Sequence, residues 1–92
     1  MERTVTVVPE AGLHARPASQ FVQRAGEFEC DVRIEPVDSG EAVDAQSMLA
    51  VTGLNVGAGE QVRLIADGED AEAALDALEA VLTTPENGGE SA

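Results

Sequence analysis

The only histidine in the chain, His14, lies two residues before Arg16 and three before Pro17. An amphipathic helical pattern begins directly after it, which puts the histidine at or just before the N-cap of a helix. Proline suits the first helical turn, because its missing amide would lack a partner there and its φ already fits a helix. An imidazole at this position is exposed as a nucleophile, while the first-turn amides and the Arg16 guanidinium face any bound anion. These residues predict a site that carries a phosphoryl group on His14.

Other kinds of chemistry have weaker support in the sequence. His14 and Cys30 lack the spacing of metal ligands, and we expect neither a metal nor a cofactor. The absence of lysine excludes a P-loop, and no Gly-x-Ser-x-Gly motif occurs. A lone histidine in an acidic domain is more often an ordinary surface residue. The phosphoryl hypothesis therefore depends on the Arg16-Pro17 pair beside His14.

The charge of the chain is strongly negative. It has 18 acidic and five basic residues, a formal net charge of -13 and a pI near 4.1. Such a surface repels nucleic acids and anionic membranes, so neither is expected as a partner. The acids are spread along the whole chain, which favours a folded, halophilic protein adapted to high salt. Like-charge pairs such as Glu72 with Asp76 predict a loss of stability in low salt.

Ninety-two residues with 43% hydrophobic content suffice for one small domain, which we predict over residues 1–83. Residues 84–92 are expected to form a flexible acidic tail. Aromatic residues make up only 2% of the chain, so the core must be aliphatic. The lone Cys30 is expected to be a buried thiol. No signal sequence or membrane span is recognisable, which predicts a cytoplasmic protein, and we expect a monomer.

Hydrophobic periodicity predicts seven elements in the order β-α-β-β-α-β-α. Strict alternation predicts strands, and apolar residues at i, i+3, i+4 and i+7 predict helices. Gly26 is placed to end the first helix, Ser47 to cap the second and Asp70 to cap the third. The predicted strands cover residues 3–8, 30–35, 41–44 and 61–67, and the predicted helices cover residues 15–25, 48–52 and 71–82.

From about Thr4 to Leu82, the chain resembles the HPr family, the phosphocarriers of the phosphoenolpyruvate-dependent sugar phosphotransferase system. The resemblance implies an α+β fold, an open-faced β-sandwich whose four-stranded antiparallel sheet, in the order 1-4-2-3, is covered on one face by three helices. The resemblance rests on four segments: Gly12-Leu13-His14-Ala15-Arg16-Pro17-Ala18, Gln20-Phe21-Val22, Ser47 at the start of a short helix, and Gly68-Glu69-Asp70 before the last helix.

The resemblance also implies a function. Proteins of this family take a phosphoryl group from phosphorylated enzyme I, itself charged by phosphoenolpyruvate, and pass it to an enzyme IIA protein; they are carriers, not enzymes. His14 matches the phosphorylated residue and Arg16 the arginine that supports the phosphate. Ser47 matches a regulatory phosphorylation position of some members, although an ordinary N-cap also explains it. The implied docking residues are Met48, Leu49, Leu54 and Arg24.

Two functional classes remain open at this point. The chain is either a phosphoryl carrier or a regulatory module of the same fold that binds a partner without phosphoryl transfer, and the His14–Arg16 pair favours the carrier. Gln23, Gly26 and Ala50 stand where many members have lysines, so apolar docking contacts should matter more here. The terminal acceptor is also open: fructose or another sugar permease, a dihydroxyacetone relay or a nitrogen-linked branch would use the same loop.

Overall fold

The computed structural model describes residues 1–85, which form four strands and three helices in the predicted order. The predicted acidic tail falls almost wholly on residues outside this range. In chain order the elements are β1 (Glu2–Thr6), α1 (Ala15–Ala25), β2 (Asp31–Pro36), β3 (Val43–Asp44), α2 (Met48–Gly53), β4 (Gln61–Asp67) and α3 (Ala71–Thr83).

The strands form one antiparallel sheet in the order β1-β4-β2-β3, as the resemblance implies. Side chains alternate along each strand between a buried and an open face, which is the period expected of a half-covered sheet. The predicted inward residues of β2 and β4 are buried, including Val32, Ile34 and Leu64. The α+β fold with three helices over one face is therefore confirmed.

An aliphatic core fills the space between the sheet and the helices, as the low aromatic content predicts. Phe21 of α1 is the largest side chain in it, and Cys30 is buried as expected. Within residues 1–85, no polar or charged residue is buried. The helices contribute the buried faces Pro17, Ala18, Phe21 and Ala25 of α1, Val51 of α2, and Ala71, Ala74, Leu75, Leu78 and Leu82 of α3.

Two strands are shorter in the structure than the sequence patterns predict. β1 ends at Thr6 instead of residue 8, because the amides of Val7 and Val8 donate to the carbonyls of Glu60 and Leu82, at 2.9 and 2.8 Å. β3 is limited to Val43–Asp44. The β1 end is thereby tied to the end of α3, and the loop that leads to His14 begins from a fixed point.

The helix ends differ in detail from the predictions. Gly26 follows α1 as expected, but its φ of -72° and ψ of -11° are right-handed, so the stop does not use glycine's left-handed freedom. Asp70 takes the N-cap position of α3, but its side chain does not cap that helix. Its carboxylate instead accepts hydrogen bonds from the amides of Glu29 and Cys30, at 2.9 and 3.0 Å. Alternation and cap rules did not indicate these two hydrogen bonds, because they join residues 41 and 40 positions apart.

Arg3 of β1 connects the edge strand to α3. Its guanidinium donates to Asp76 at 2.6 Å and to Glu79 at 2.9 Å. The sequence predicts Asp76 as one half of a repulsive pair with Glu72, whereas the structure gives it a cationic partner. Part of the negative charge on α3 is therefore balanced within the fold.

Candidate functional site

His14 is the N-cap residue of α1, at the position predicted from the sequence. Its backbone is extended, with a φ of -136° and a ψ of 166°, and its side chain makes no capping hydrogen bond to the helix. The residue is half-buried. The imidazole is thus held at the start of a helix without being committed to a structural contact there, and a ring nitrogen is left for chemistry.

The two residues before His14 anchor it to the core. Leu13 is fully buried, and its amide donates to the Val56 carbonyl at 2.9 Å. Gly12 has a φ of +74°, and a Cβ at this position would lie 2.4 Å from the Val56 oxygen and 2.8 Å from the Gly57 Cα. Only glycine allows both the left-handed backbone and this close approach. The position of His14 is therefore set by contact between its own loop and the segment after α2.

The first turn of α1 leaves donors free beside His14. The Ala18 amide reaches the His14 carbonyl at 3.5 Å, and Pro17 has no amide to donate. In the part of the chain that the structure describes, the amides of Ala15 and Arg16 have no backbone or side-chain acceptor. Unpaired first-turn amides and the positive end of the helix dipole favour a bound anion.

Ala15 adopts a left-handed conformation, with a φ of +51°. An alanine in this region carries a cost of about 1 to 2 kcal/mol, because its Cβ crowds the following carbonyl. The strained residue lies between His14 and Arg16, so its conformation affects the direction in which the backbone runs from His14 into α1. Nothing in the hydrophobic pattern of the sequence indicated it.

Arg16 is exposed, and no carboxylate of residues 1–85 lies within salt-bridge distance of its guanidinium. The residue borders a shallow depression of about 130 Å³ beside the first turn of α1. The other lining residues are Pro9, Pro17, Gln20, Val81, Thr84 and Pro85. His14 is not one of these lining residues, so the depression lies on the Arg16 side of the histidine and does not enclose it.

The predicted regulatory and docking residues cluster on α2, which packs against α1. The Ser47 hydroxyl caps α2 by accepting a hydrogen bond from the Ala50 amide at 3.2 Å. Met48 and Leu49 are exposed by 40% and 84%, so the first turn of α2 presents an apolar surface. Leu54 is half-buried and packs against the core.

Arg24, the remaining predicted docking residue, is engaged within its own segment. It forms an ion pair with Glu27 and lies over the ring of Phe28, with its guanidinium carbon 5.8 Å from the ring centroid. Both contacts are local and exposed, so each contributes little to stability. The structure thus brings Arg24 onto the same helix as His14, with part of its charge already balanced.

The titratable groups with displaced pKa values lie away from His14. Hydrogen bonds from the Glu29 amide above all lower the pKa of Asp70. Burial raises the pKa of the Cys30 thiol, and the nearby Asp70 carboxylate adds to this. Gly68 packs against Cys30 so closely that a Cβ would lie 2.6 Å from the Cys30 Cβ. This second cluster fastens the start of β2 to the start of α3 and is structural.

Two further kinds of site were searched for within residues 1–85. No group of three or more His, Cys, Asp or Glu side chains in this range is arranged to hold a metal ion. None of its helices combines the length and apolar character needed to cross a bilayer.

The comparison with known protein families shows which family the chain belongs to. A family model described as "PTS HPr component phosphorylation site" matches residues 1–84. The chain belongs to the HPr family. It is therefore an HPr-type phosphocarrier of the phosphotransferase system, and the resemblance drawn from the loop around His14 is confirmed.

Individual relatives agree with this assignment. The chain is 66% identical over 86 residues to the phosphocarrier protein HPr of Haloferax volcanii, covering 94% of this chain and 97% of that one. The similarity to a haloarchaeal HPr agrees with the halophilic interpretation of the charge. The crystal structure of HPr from Bacillus anthracis has a TM-score of 0.84 at 39% identity and covers 89% of this chain and 95% of that chain. Crh of Bacillus subtilis, a catabolite repression protein solved as a domain-swapped dimer, has a TM-score of 0.70 at 44% identity, with 85% and 87% covered.

Some features of this HPr-family site were not predicted from the sequence. The close approach of Gly12 to Val56 and the left-handed Ala15 depend on contacts that no local pattern encodes. Neither did the sequence indicate that Gln20 and Thr84 would border the same depression as Arg16. Gly12, two residues before His14, was the one feature of the sequence that indicated a close backbone contact in this loop.

Proposed function

We propose that His14 accepts a phosphoryl group from phosphorylated enzyme I and donates it to an enzyme IIA protein. In the first step, a ring nitrogen of His14 forms a bond to phosphorus as the bond to the enzyme I histidine breaks. In the second step, the new bond breaks as an acceptor histidine attacks the phosphorus. The chain is then a stoichiometric carrier within a relay and not an enzyme.

This proposal rests mainly on the surroundings of the His14 side chain. The half-buried His14 imidazole makes no structural hydrogen bond to its helix, and it stands next to two free amides and an arginine with no carboxylate partner in residues 1–85. After transfer, the amides of Ala15 and Arg16 and the Arg16 guanidinium offset the charge of the dianionic group. A nucleophile and its anion-binding groups are thereby combined in three consecutive residues, His14, Ala15 and Arg16.

The openness of the site fits transfer between proteins. In-line transfer requires the attacking nitrogen to approach the phosphorus from the side opposite the leaving nitrogen, so His14 must face the donor histidine in the first step and the acceptor histidine in the second. A closed pocket would block both partner proteins, whereas the N-cap of α1 lies at the surface. The carrier supplies positioning and charge balance, and each partner supplies its own reactive group.

We assign partner docking to the exposed apolar turn of α2, formed by Met48 and Leu49. These side chains lie at a surface in which lysines are absent, and at molar salt apolar contact retains its strength while charge attraction is screened. Leu54, half-buried against the core at the end of α2, and Arg24 of α1 are the further docking residues that we propose. Phosphorylation of Ser47 would place a dianion at the base of the docking turn and would weaken apolar docking.

The remaining assignments follow from the family and the charge. We place the protein in the cytoplasm, where phosphoenolpyruvate is available, and take it to act as a monomeric domain over residues 1–83. The similarity to Crh of Bacillus subtilis supports one alternative, a regulatory module that binds a partner without phosphoryl transfer. Such a module would not need the free amides and arginine beside His14.

A relay assay with labelled phosphoenolpyruvate tests donor and acceptor together. The full chain is incubated with a matched enzyme I, and enzyme IIA proteins of the fructose, dihydroxyacetone and nitrogen-linked systems are then added separately. We expect the chain to gain label only when enzyme I is present and to lose it to one class of acceptor. Label that no acceptor removes would contradict the proposed second step, and a chain that takes up no label would favour the interaction module.

A further inference from the structure

Rare backbone conformations occur where the loop before α1 meets the segment after α2. In the described part of the chain, the residues other than glycine with a positive φ are Ala15, at +51°, and Asn55, at +58°. They lie on the two sides of the hydrogen bond from the Leu13 amide to the Val56 carbonyl. Ala15 follows Leu13 by two residues, and Asn55 directly precedes Val56. Backbone outliers that cluster beside a reactive group indicate a functional constraint at that place.

Asn55 turns the chain away from the path of α2. Leu54, the C-cap, is still right-handed, with a φ of -68° and a ψ of -23°, so a right-handed Asn55 would continue the helical path. The left-handed Asn55 ends this path instead, and its amide donates to the Thr52 carbonyl at 3.2 Å. Val56, the next residue, is thereby buried in the core, with its carbonyl directed at the Leu13 amide.

The residue type at position 55 matters through its backbone and not through side-chain contacts. The Asn55 side chain is exposed, and it makes no hydrogen bond to any residue that the structure describes. After glycine, asparagine is among the residues that most readily adopt the left-handed conformation, whereas a β-branched residue rarely does. The asparagine therefore acts by making the turn into Val56 accessible to the backbone.

Val56 connects this turn to the N-cap of α1. Its carbonyl accepts a hydrogen bond from the Leu13 amide at 2.9 Å and lies 2.4 Å from where a Cβ on Gly12 would be. Because His14 follows Leu13 directly, a displaced Val56 carbonyl would also displace the start of α1 and the imidazole there. The conformation of Asn55 is therefore coupled to the position of His14 through one hydrogen bond and one close backbone contact.

We propose that Asn55 is a positioning residue for phosphoryl transfer. Its left-handed backbone directs the Val56 carbonyl onto the loop before α1 and thereby sets where the His14 imidazole lies. The role in transfer rests on the proposed function, whereas the hydrogen bond between Leu13 and Val56 can be measured without any transfer.

The position of the imidazole matters because transfer is an in-line displacement between two proteins. The His14 nitrogen has to lie on the line through the phosphorus and the leaving nitrogen, and a misplacement of about 1 Å can slow a reaction by about 100-fold. Docking through Met48 and Leu49, on the first turn of α2, does not use the imidazole. Asn55 should therefore influence the rate of transfer within the complex and not the affinity of the complex.

The contact is tested first, in the full, unphosphorylated chain. The scalar coupling between the Leu13 nitrogen and the Val56 carbonyl carbon is measured by NMR across their hydrogen bond in the wild type, Asn55→Val and Asn55→Gly. We expect the coupling in the wild type and in Asn55→Gly, which keeps the left-handed backbone, and its loss in Asn55→Val. Asn55→Thr is also β-branched, and it replaces the valine variant if that chain does not fold.

Gly40→Val is the matched control for left-handed strain. Gly40 has a φ of +69° in the turn after β2, a Cβ there would meet nothing within 4 Å, and its amide donates to the Pro36 carbonyl of the same turn. This variant should keep the coupling between Leu13 and Val56. The proposal is overturned if the wild type lacks the coupling, if the β-branched variant at position 55 retains it, or if Asn55→Gly or Gly40→Val loses it.

The consequence for the reaction is tested by the rate of transfer from phosphorylated enzyme I. At saturating donor, Asn55→Val should be slower than the wild type by up to about 100-fold, while the donor concentration that gives half the maximal rate stays the same. Asn55→Gly should restore the rate, and Gly40→Val should not lower it. An unaltered maximal rate in Asn55→Val, or a change only in the half-saturating concentration, would overturn the positioning role. If the wild type takes up no phosphate, the proposed function fails, and the scalar coupling alone decides whether Asn55 sets the position of the loop.

Discussion

The geometry of the fold depends first on single residues that have no substitute. Gly12 is one of them, because its backbone is left-handed and the Val56 carbonyl occupies the space that a Cβ would need. Asp70 is another, since its one carboxylate satisfies two amides of the segment before β2. Each acts at a distance from the reactive atom, and each fixes the direction of a chain segment.

The substitution Gly12→Ala should lower the free energy of unfolding by about 2 to 4 kcal/mol, from left-handed strain and the overlap with Val56. Gly53→Ala is the matched control, because a Cβ there meets nothing within 4 Å and the φ is not positive. Urea unfolding of both variants gives the comparison. Equal stability of the two variants would show that the contact with Val56 does not require glycine at position 12.

The hydrogen-bonded carboxylate of Asp70 should make the free energy of unfolding depend on pH. Its pKa is lowered in the folded state from the ordinary value of 3.8, so its contribution is present above that value and is lost as pH falls through the folded pKa. We expect Asp70→Asn to destabilise the protein at neutral pH, and the difference from wild type to shrink on acidification. Unfolding curves across this range measure it, with Asp38→Asn as the control. A difference that is constant with pH would exclude a role for the Asp70 charge.

At the scale of elements, the sequence predicted most of the fold because its patterns are local. Alternation over residues 61–67 and the apolar stripe of the last helix appear in the structure with nearly the predicted bounds. The start of α1 at His14 was also predicted, from the amphipathic pattern that follows His14 together with Pro17. What local patterns could not show were contacts between distant segments, such as Asp70 with the Glu29 amide and Arg3 with α3.

The apolar turn of α2 supports a prediction about docking. Leu49→Asp, at a side chain that is 84% exposed, should slow phosphoryl transfer from enzyme I while leaving the free energy of unfolding within about 0.5 kcal/mol of wild type. Met48→Asp should act in the same direction. Transfer rates and melting curves are compared with Val37→Asp, another exposed apolar position that is not on α2. An unchanged rate in both α2 variants would reject docking through this turn.

The charge of the whole molecule governs its stability in salt. A net charge of -13 on 92 residues gives strong self-repulsion, and only a few carboxylates are balanced within the described fold, by Arg3, Arg24 and Arg63. Molar salt reduces the Debye length to about 3 Å and screens this repulsion. The acidic surface therefore suits the fold to high salt at the expense of stability in dilute buffer.

Thermal unfolding in low and in molar KCl checks this balance directly. We expect the melting temperature to rise with KCl, because repulsion among the unpaired carboxylates is screened more than the few ion pairs are weakened. NaCl at the same ionic strength controls for an effect specific to potassium. A melting temperature that is the same in dilute and molar salt would contradict the halophilic interpretation.

The most direct test of the account is the intact mass of the full chain after incubation with phosphoenolpyruvate and a matched enzyme I in molar KCl, beside His14→Ala. We predict one acid-labile phosphate on the wild type and none on the variant, with both chains folded. Phosphate on His14→Ala would place the reactive group elsewhere. No phosphate on the wild type, with an enzyme I that demonstrably charges another HPr, would contradict the assignment of His14 as the phosphoryl carrier.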